Sequence, residues 1–599
     1  MKKIFAICIA ALGLAACEMD FFSSDTMTPE QLAANPSSAV YTTDGIYTLF
    51  ADNLEYKGSS EDGNYYVRHY FQLAELRGDN VSISGYSEDP FCFPYAYEDA
   101  PTEKNIYYTW WIAYKIINAA NSNISAITPG ASNYTDHLLG ENYFLRAIAH
   151  FHMVTLFARP YVCGRDNLGV VLRNSMDYST TTRATVGQVY DAIVEDLKKA
   201  QDFMSKGDFA GEKERVKGYG TETADKSYAT WDAATALLAR VYLYMEENDK
   251  CLTECNKLLD PAHISSSVTT GYDFADYPTH TYNHPETIWC VHLDTNHPWA
   301  QANGGASIAS MYIHDNDESV GWGEHYWSDI LIDNFQRYPN DKRFKAYFRM
   351  NDVLDDGKVC ISVPYKTAED NNYCSSYVVK DLTFKGDGSL DFKYNVESGK
   401  PTYTAVPTNV NGYTEYYVNG VDFVTGEKGA SKRTRVFVRP NIGASGKRSG
   451  RDYIIYYNTK FSYQDGMSML TSPVFLRWGE VVLNRAEANA KLGNDQDALD
   501  DVNLIRHRAG LTGAGEDMTL TNYNGRGYAT VLDVVLDERR RELCFEGHRM
   551  FDVFRNRQTM DRRYVGYHEW GTIDYTDLRV ALQIPTDEIN ASGIAPNPR

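Results

Sequence analysis

Beyond its first sixteen residues this chain of 599 has no apolar run approaching twenty residues, so nothing later in it reads as a membrane-spanning helix. Cationic residues are scarce. The 58 Lys and Arg stand against 80 Asp and Glu, a formal net charge of -22, which disfavours nucleic acid or another polyanion as the main partner. No Pro/Gly/Ser-rich linker divides the chain, although its length permits more than one unit. No Gly-x-Ser-x-Gly elbow, phosphate loop or dinucleotide fingerprint is present, and no catalytic constellation replaces them.

The ten cysteines are scattered and suggest no disulfide scaffold, and a chain this long builds a core without staples. Cys251 and Cys255 stand one helical turn apart among Leu252, Leu258 and Leu259 and lack a second Cys/His pair, so they read as core rather than a zinc site. His280 and His284 have metal-like spacing, but Pro278 and Pro285 preclude a regular helix through them. His150 and His152 fall inside a packed helix. Asp315-Asn-Asp-Glu-Ser-Val-Gly321 begins like a calcium loop, yet Val320 stands at the glycine position and Tyr326 at that of the bidentate glutamate. Neither metal nor cofactor is expected.

What is present begins at the amino terminus. Lys2 and Lys3 precede the apolar run Ile4 to Leu14, and Leu14-Ala15-Ala16-Cys17 follows, a pattern that predicts a signal peptide over 1–16. Its end resembles a lipobox, in which Cys17 is acylated. Attached acyl chains contribute about 0.8 kcal/mol per buried methylene, enough for two or more to hold a protein on a bilayer.

Helical periodicity then recurs over Trp110 to Ile127, Glu141 to Phe157, Val186 to Met204, Trp231 to Glu247 and Cys251 to Leu259. From about Tyr272 to Tyr463 it gives way to short aromatic and β-branched runs such as Tyr373 to Val379, Tyr413 to Val418 and Arg435 to Val438, separated by turn residues. Eight Lys and Arg between Lys428 and Arg451 read as basic flanks of a strand pair or, alternatively, a local polyanion site. Apolar spacing predicts an internal helix over Phe475 to Ala488, a turn at Leu492-Gly493-Asn494, and a second helix that Gly510 stops. Glu538, Glu542 and Glu546 interleave with Arg539, Arg540 and Arg541, which reads as a structural ion-pair network. Arginines this close keep carboxylates ionised, whereas a general acid needs a raised pKa.

Three carboxyl-terminal patterns fall in a fixed order: Phe475-Leu-Arg-Trp-Gly-Glu to Ala488, Asp537-Glu-Arg-Arg-Arg-Glu to Arg549, and Ile584-Pro-Thr-Asp-Glu-Ile589 with Asn597-Pro598. Together they resemble the signature of the SusD/RagB-like family, nutrient-binding surface lipoproteins of Bacteroidetes-type bacteria. The run Tyr143-Phe-Leu-Arg-Ala147, ending near Arg159-Pro160, resembles that family's first tetratricopeptide-like pair. The fold implied is mainly α, a tetratricopeptide-like helical-pair frame with a large loop-rich, partly β insertion. After the signal peptide a single SusD-like domain would run over 17–599, with its frame at about 40–260 and 470–599 and its insertion at about 272–463.

The resemblance further implies a non-enzymatic protein, lipid-anchored and facing outward on the outer membrane, with Glu18 and Asp20 as an export tag. It would capture oligosaccharide or polysaccharide and deliver it to a TonB-dependent, SusC-like barrel, over which it closes as a lid. Peptide capture, as in RagB-like members, is the alternative within the family. A surface glycoside hydrolase is the alternative outside it and would need two carboxylates placed about 5 to 10 Å apart. Gly78-Asp79-Asn80 resembles the family's acidic turn near the binding face.

Aromatic side chains offer apolar faces with polar edges, suited to sugar rings. With 45 tyrosines and nine tryptophans available, two loop clusters outside the helical pattern are the expected ligand site. One precedes the first long helix and contributes Asp79, Asn80, Tyr86, Phe93 and Tyr95. The other opens the insertion and contributes Trp299, Trp322, Tyr326 and Trp327. Trp289 reads as core, and Trp110, Trp111, Trp231 and Trp478 as helix packing.

Overall fold

The structure, a computed structural model, describes residues 38–599 apart from 57–62, 84–88, 178, 180, 206–225, 262–276, 301–305, 315–319, 351–354, 367–374, 411, 443–444, 449–450 and 455. The signal segment, Cys17, Glu18, Asp20, Tyr86 and most of the calcium-like run at Asp315 lie outside the described residues.

The amino-terminal block comprises α1 (Ser38–Ala51), α2 (Tyr66–Leu76), strand β1 (Val81–Ile83), the short α3 (Cys92–Ala96), α4 (Lys104–Ala126), α5 (Asn133–Phe157), α6 (Val186–Met204), α7 (Trp231–Tyr244) and α8 (Asn248–Leu258). The helix expected from Glu141 starts eight residues earlier. Ser132 accepts from the Thr135 backbone N–H while the Thr135 hydroxyl accepts from the Ser132 N–H, a capping box that fixes the start. Likewise α4 starts at Lys104, because Ile106 already belongs to the buried stripe continued by Trp110, Ala113 and Ile117. Each long helix packs on the next, from α4 to α8. Cys251 and Cys255 are buried in α8 with their sulfurs 3.9 Å apart.

In the insertion, β2 (Thr287–Cys290), α9 (Ile308–Tyr312), β3 (His325–Trp327), α10 (Asp329–Gln336) and α11 (Lys342–Tyr347) come first. Its centre is more regular than the loop-rich expectation. Strands β4 (Asp355–Tyr365), β5 (Ser375–Val379), β6 (Leu382–Phe384), β7 (Leu390–Lys393), β8 (Thr402–Val410), β9 (Tyr413–Val421) and β10 (Lys428–Ile442) form one antiparallel sheet, ordered β5-β4-β10-β9-β8-β7-β6. Alternation puts Ile361, Val363, Leu390, Phe392, Ala405, Val418 and Val436 in a core of their own, separate from the main one. Ion pairs tie this sheet to α10: Arg439 reaches Asp329 at 3.1 Å and also Asp333, and Arg435 reaches Asp333 at 2.6 Å. Lys428 pairs with Glu397 at 2.5 Å and Lys432 with Glu427. The described part of the basic run is therefore largely ion-paired.

The carboxyl-terminal block holds β11 (Val474–Arg477), α12 (Trp478–Leu492), α13 (Asp495–Arg508), α14 (Val531–Glu542), α15 (Arg549–Arg555) and α16 (Thr586–Ser592). The helix expected from Phe475 begins only at Trp478. Phe475 and Leu476 are strand residues, with Leu476 opposite Trp289 of β2 in the core, so the apolar run is buried on both sheet faces rather than along a helical stripe. Gly493 ends α12 at a φ of 81°, the left-handed C-terminal cap that the Leu-Gly-Asn turn predicts. Helix α12 packs on α8 and thereby joins the two helical blocks. Among the described residues no helix is long and apolar enough to cross a membrane.

Candidate ligand-binding cleft

The two predicted loop clusters do meet, but as packing. Strand β1 pairs with β3, setting Val81 opposite Trp327 and Ser82 opposite Tyr326, and Ser328 donates its backbone N–H to Asn80 and its hydroxyl to Asp79. Asp79 is buried and bonded by Arg549 at 2.6 and 3.0 Å, with Arg540 at 3.3 Å. Burial alone would raise its carboxyl, yet Arg540 and Arg549 bring it down to about 2. Asn80 is buried between Glu75, to which it donates at 2.9 Å, and Arg540, from which it accepts at 3.0 Å. This acidic turn is a clamp onto α14 and α15, not a ligand-facing loop.

Most of the aromatic expectations are corrected in the same way. Tyr95 is buried beneath the Arg562 guanidinium at 4.6 Å. Trp299 is 1% exposed and lies edge-on to Tyr65 at 5.1 Å. Tyr326 is buried near Tyr457, and Trp327 is buried among Phe335, Phe344 and Phe545. Most of the partners that bury them are far away in sequence: Arg562 for Tyr95, Tyr65 for Trp299, Tyr457 for Tyr326 and Phe545 for Trp327. Two of the predicted aromatics face solvent: Phe93 at 47% exposure and Trp322 at 57%. Trp322 is held out by its neighbours. Gly321 and Gly323 adopt φ of 83° and 55°, and a Cβ on Gly321 would sit 2.3 Å from the Ile313 carbonyl oxygen.

A cleft of about 640 Å³ opens elsewhere, between the outer face of α4 and the carboxyl-terminal α16. Such a volume is in the usual range for small-molecule sites. Tyr107, Trp111, Lys115 and Asn118 recur every four residues or so along α4 and line the cleft beside the more deeply buried Trp110 and Ile117, while Ile106 and Ala113 turn into the core. The Tyr107-Tyr108 and Trp110-Trp111 doublets each turn one ring inward and one outward. Helical packing therefore describes Trp110, whose ring is 5.1 Å from Phe157, but not the cleft face of Trp111. Tyr56 leans over Trp111 with ring centroids 5.1 Å apart at 47°, and its hydroxyl is 3.5 Å from Asp587 of α16. Burial, then Tyr107 and Glu588, raise the Tyr56 pKa, so it remains a neutral hydroxyl. Tyr114 is pinned by a 2.7 Å bond to the Val171 carbonyl, and Arg173 and Glu588 complete the polar rim.

This wall combines aromatic faces with carboxylate and hydroxyl acceptors and donors, the chemistry that stacks on a sugar ring and bonds its hydroxyls. Asp587 and Glu588 are consecutive on α16, so they diverge rather than face each other as an acid/base pair would. Among the described residues no group of three His, Cys, Asp or Glu side chains could hold a metal ion. Sequence alone does not single out this cleft, because helical spacing places Trp111 in packing and Ile584 to Ile589 stands out only as a signature. The doubled aromatics on one helix were the available signal.

Comparison with known proteins agrees with the fold. A model of the SusD family matches residues 285–592, just over half of the chain, and a model described as starch-binding associating with outer membrane matches residues 75–243. The SusD-like protein P38 of Formosa agariphila is 22% identical over 475 residues, covering 77% of this chain and 74% of that protein. A SusD superfamily protein of Bacteroides thetaiotaomicron superposes with a TM-score of 0.61 at 22% identity, covering 94% of this chain and 100% of that one. A SusD-like carbohydrate binding protein of Bacteroides vulgatus gives 0.58 at 16%, covering 93% and 96%. At such identities the structural likeness speaks for the fold alone, while the family match runs through the insertion, the ion-pair network and the helices that carry the signature; this chain belongs to the SusD family.

Proposed function

We propose that this protein captures glycan at the surface of an outer membrane and passes it to a TonB-dependent, SusC-like barrel, without chemical turnover. The observation that carries the reading is the aromatic cleft between α4 and α16, with Tyr56, Tyr107 and Trp111 as stacking faces and Asp587 and Glu588 as acceptors. The family supports it: one matching model is described as starch-binding, and one structural neighbour as carbohydrate binding. Solvent-facing Trp322 and Phe93 are offered as further contacts for a longer glycan. The successive helical pairs are read as a tetratricopeptide-like frame on which the barrel docks, and Cys17 as the acylated anchor.

Titration of the purified mature chain against an oligosaccharide array, followed by chromatography of the bound sugar after long incubation, tests this reading. Binding with unchanged sugar is expected, and Trp111→Ala is expected to weaken it by about 1 to 3 kcal/mol. Mass spectrometry of the same membrane-derived sample is expected to find acyl groups on Cys17. Preference for peptides over every sugar would turn the reading to peptide capture, and reproducible cleavage would turn it to a hydrolase.

A further inference from the structure

A second cleft, of about 380 Å³, lies where α10 meets the seven-stranded sheet, on the face of β9 and β10. Its charged lining consists of Asp333, Arg337, Glu415 and Arg435, with Tyr413 and the exposed Thr414 between them. Both carboxylates are engaged. Asp333 holds Arg435 at 2.6 Å and pairs with Arg439, and Glu415 holds Arg435 at 3.2 Å while accepting from the Tyr417 hydroxyl at 2.6 Å. Arg435 is thereby neutralised as well.

Arg337 is different. Its guanidinium lies 4.3 Å above the Tyr413 ring, and among the described residues it makes no close ion pair and donates no side-chain hydrogen bond, although its charge helps Arg541 hold the buried Asp537 carboxyl low. The ring beneath it is fixed: the Tyr413 hydroxyl contacts Tyr338 at 3.1 Å, Tyr338 contacts Tyr528 at 2.9 Å, and Tyr528 donates to Asp537 at 2.5 Å. A guanidinium stacked on an anchored ring keeps its plane while its N–H fork stays available at the edge. Planar two-pronged donation suits carboxylate and sulfate oxygens, and a stacked cation loses little freedom on accepting one.

We propose that this cleft is a second sugar site, selective for residues bearing an anionic group, uronate carboxylate or sulfate ester, which Arg337 recognises. The proposal rests on the glycan reading above. It makes the overall acidic protein a binder of acidic glycan through one cation that stands on the Tyr413 ring without a close carboxylate partner.

Calorimetric titration of the full mature chain with tetragalacturonate, with a κ-carrageenan tetrasaccharide and with maltotetraose separates the possibilities. The first carries carboxylates only, the second sulfates only, the third no charge. At least one acidic probe is expected to bind, with Arg337→Gln weakening it about tenfold or more and Arg337→Lys by less. Thr414→Glu, at an exposed strand position, is expected to weaken the same probe through repulsion while leaving any maltotetraose binding unchanged. Circular dichroism of each variant reports its folding. An acidic probe that binds Arg337→Gln and Thr414→Glu as tightly as wild type overturns the proposal, as does failure of both acidic probes to bind at millimolar concentration. If Trp111-dependent binding of another glycan persists in those cases, the proposed function stands and only this site falls; if no glycan binds at all, both fall.

Discussion

At the scale of single residues, burial decides which aromatics are free to bind. Trp322 and Trp327 are five positions apart, yet one stands out on a turn that only glycines permit and the other sits against Phe335, Phe344 and Phe545. Trp327→Ala is therefore expected to cost about 3 to 5 kcal/mol of stability, read as a lowered urea midpoint. Trp322→Ala should leave the midpoint within about 0.5 kcal/mol of wild type. Equal midpoints for the two variants would contradict the burial seen here. The glycines flanking Trp322 made its exposure readable from sequence. The burial of Trp299 and Trp327 is not readable there, because Tyr65, from α2's entry, covers Trp299, and Phe545, from the segment after α14, closes over Trp327 beside the nearer Phe335 and Phe344. Asp79 shows the same limit: its charge serves Arg540 and Arg549, more than 450 residues away in sequence.

At the scale of elements, ion pairs bind the insertion to the carboxyl-terminal block. Glu542, at the end of α14, accepts from Arg477 at the end of β11, Arg508 at the end of α13 and Arg343 of α11, at 2.6, 2.6 and 2.9 Å. The charge pattern of Glu538, Glu542 and Glu546 announced such a network, but helical spacing suggested partners within α14. Only Arg541 stays there, bonding Asp537 and Glu538, while Arg539 and Arg540 leave for Asp552 and Asp79. Spacing gives the face of a helix; which element covers that face is a tertiary fact. For the same reason the turn at Gly493 is legible locally, whereas the apolar run of β11 has helical spacing and becomes strand through its pairing with Trp289 and its neighbours in β2. Burial opposes the charge of Glu538, yet Arg343, Arg541 and Arg506 bring its carboxyl down to about 2. Removing one carboxylate strands several buried cations, so Glu542→Gln is expected to destabilise the fold by about 3 to 5 kcal/mol. A urea midpoint equal to wild type would show that the guanidiniums find other partners.

At the scale of the whole molecule, the distribution of buried titratable groups sets the response to acid. His69, His325 and His548 are buried, and burial foremost lowers each from 6.5 to about 4. They come from α2, β3 and the start of α15, so the effect belongs to the main core rather than to one loop. The unfolded chain binds protons at these sites from about pH 6.5 downward, while the folded chain declines them until about pH 4. Stability is therefore full above pH 6.5 and is lost as pH falls through that window, at up to about 1.4 kcal/mol per pH unit for each histidine. Asp79, Glu480 and Glu538 act at lower pH. Arginine partners outweigh burial and hold all three at about 2, so their contribution is full above the unfolded carboxylate range and is lost progressively as pH falls from there to about 2. Urea midpoints measured at pH 7.5, 6.5, 5.5 and 4.5 are expected to be level over the first step and to fall over the next two. His325→Gln, at a position wedged against Tyr312, should flatten part of that fall even if it lowers the midpoint at pH 7.5. A midpoint unchanged from pH 7.5 to 4.5 would mean that water reaches these rings and that the core around β1 and β3 is looser than the packing of Trp327 requires.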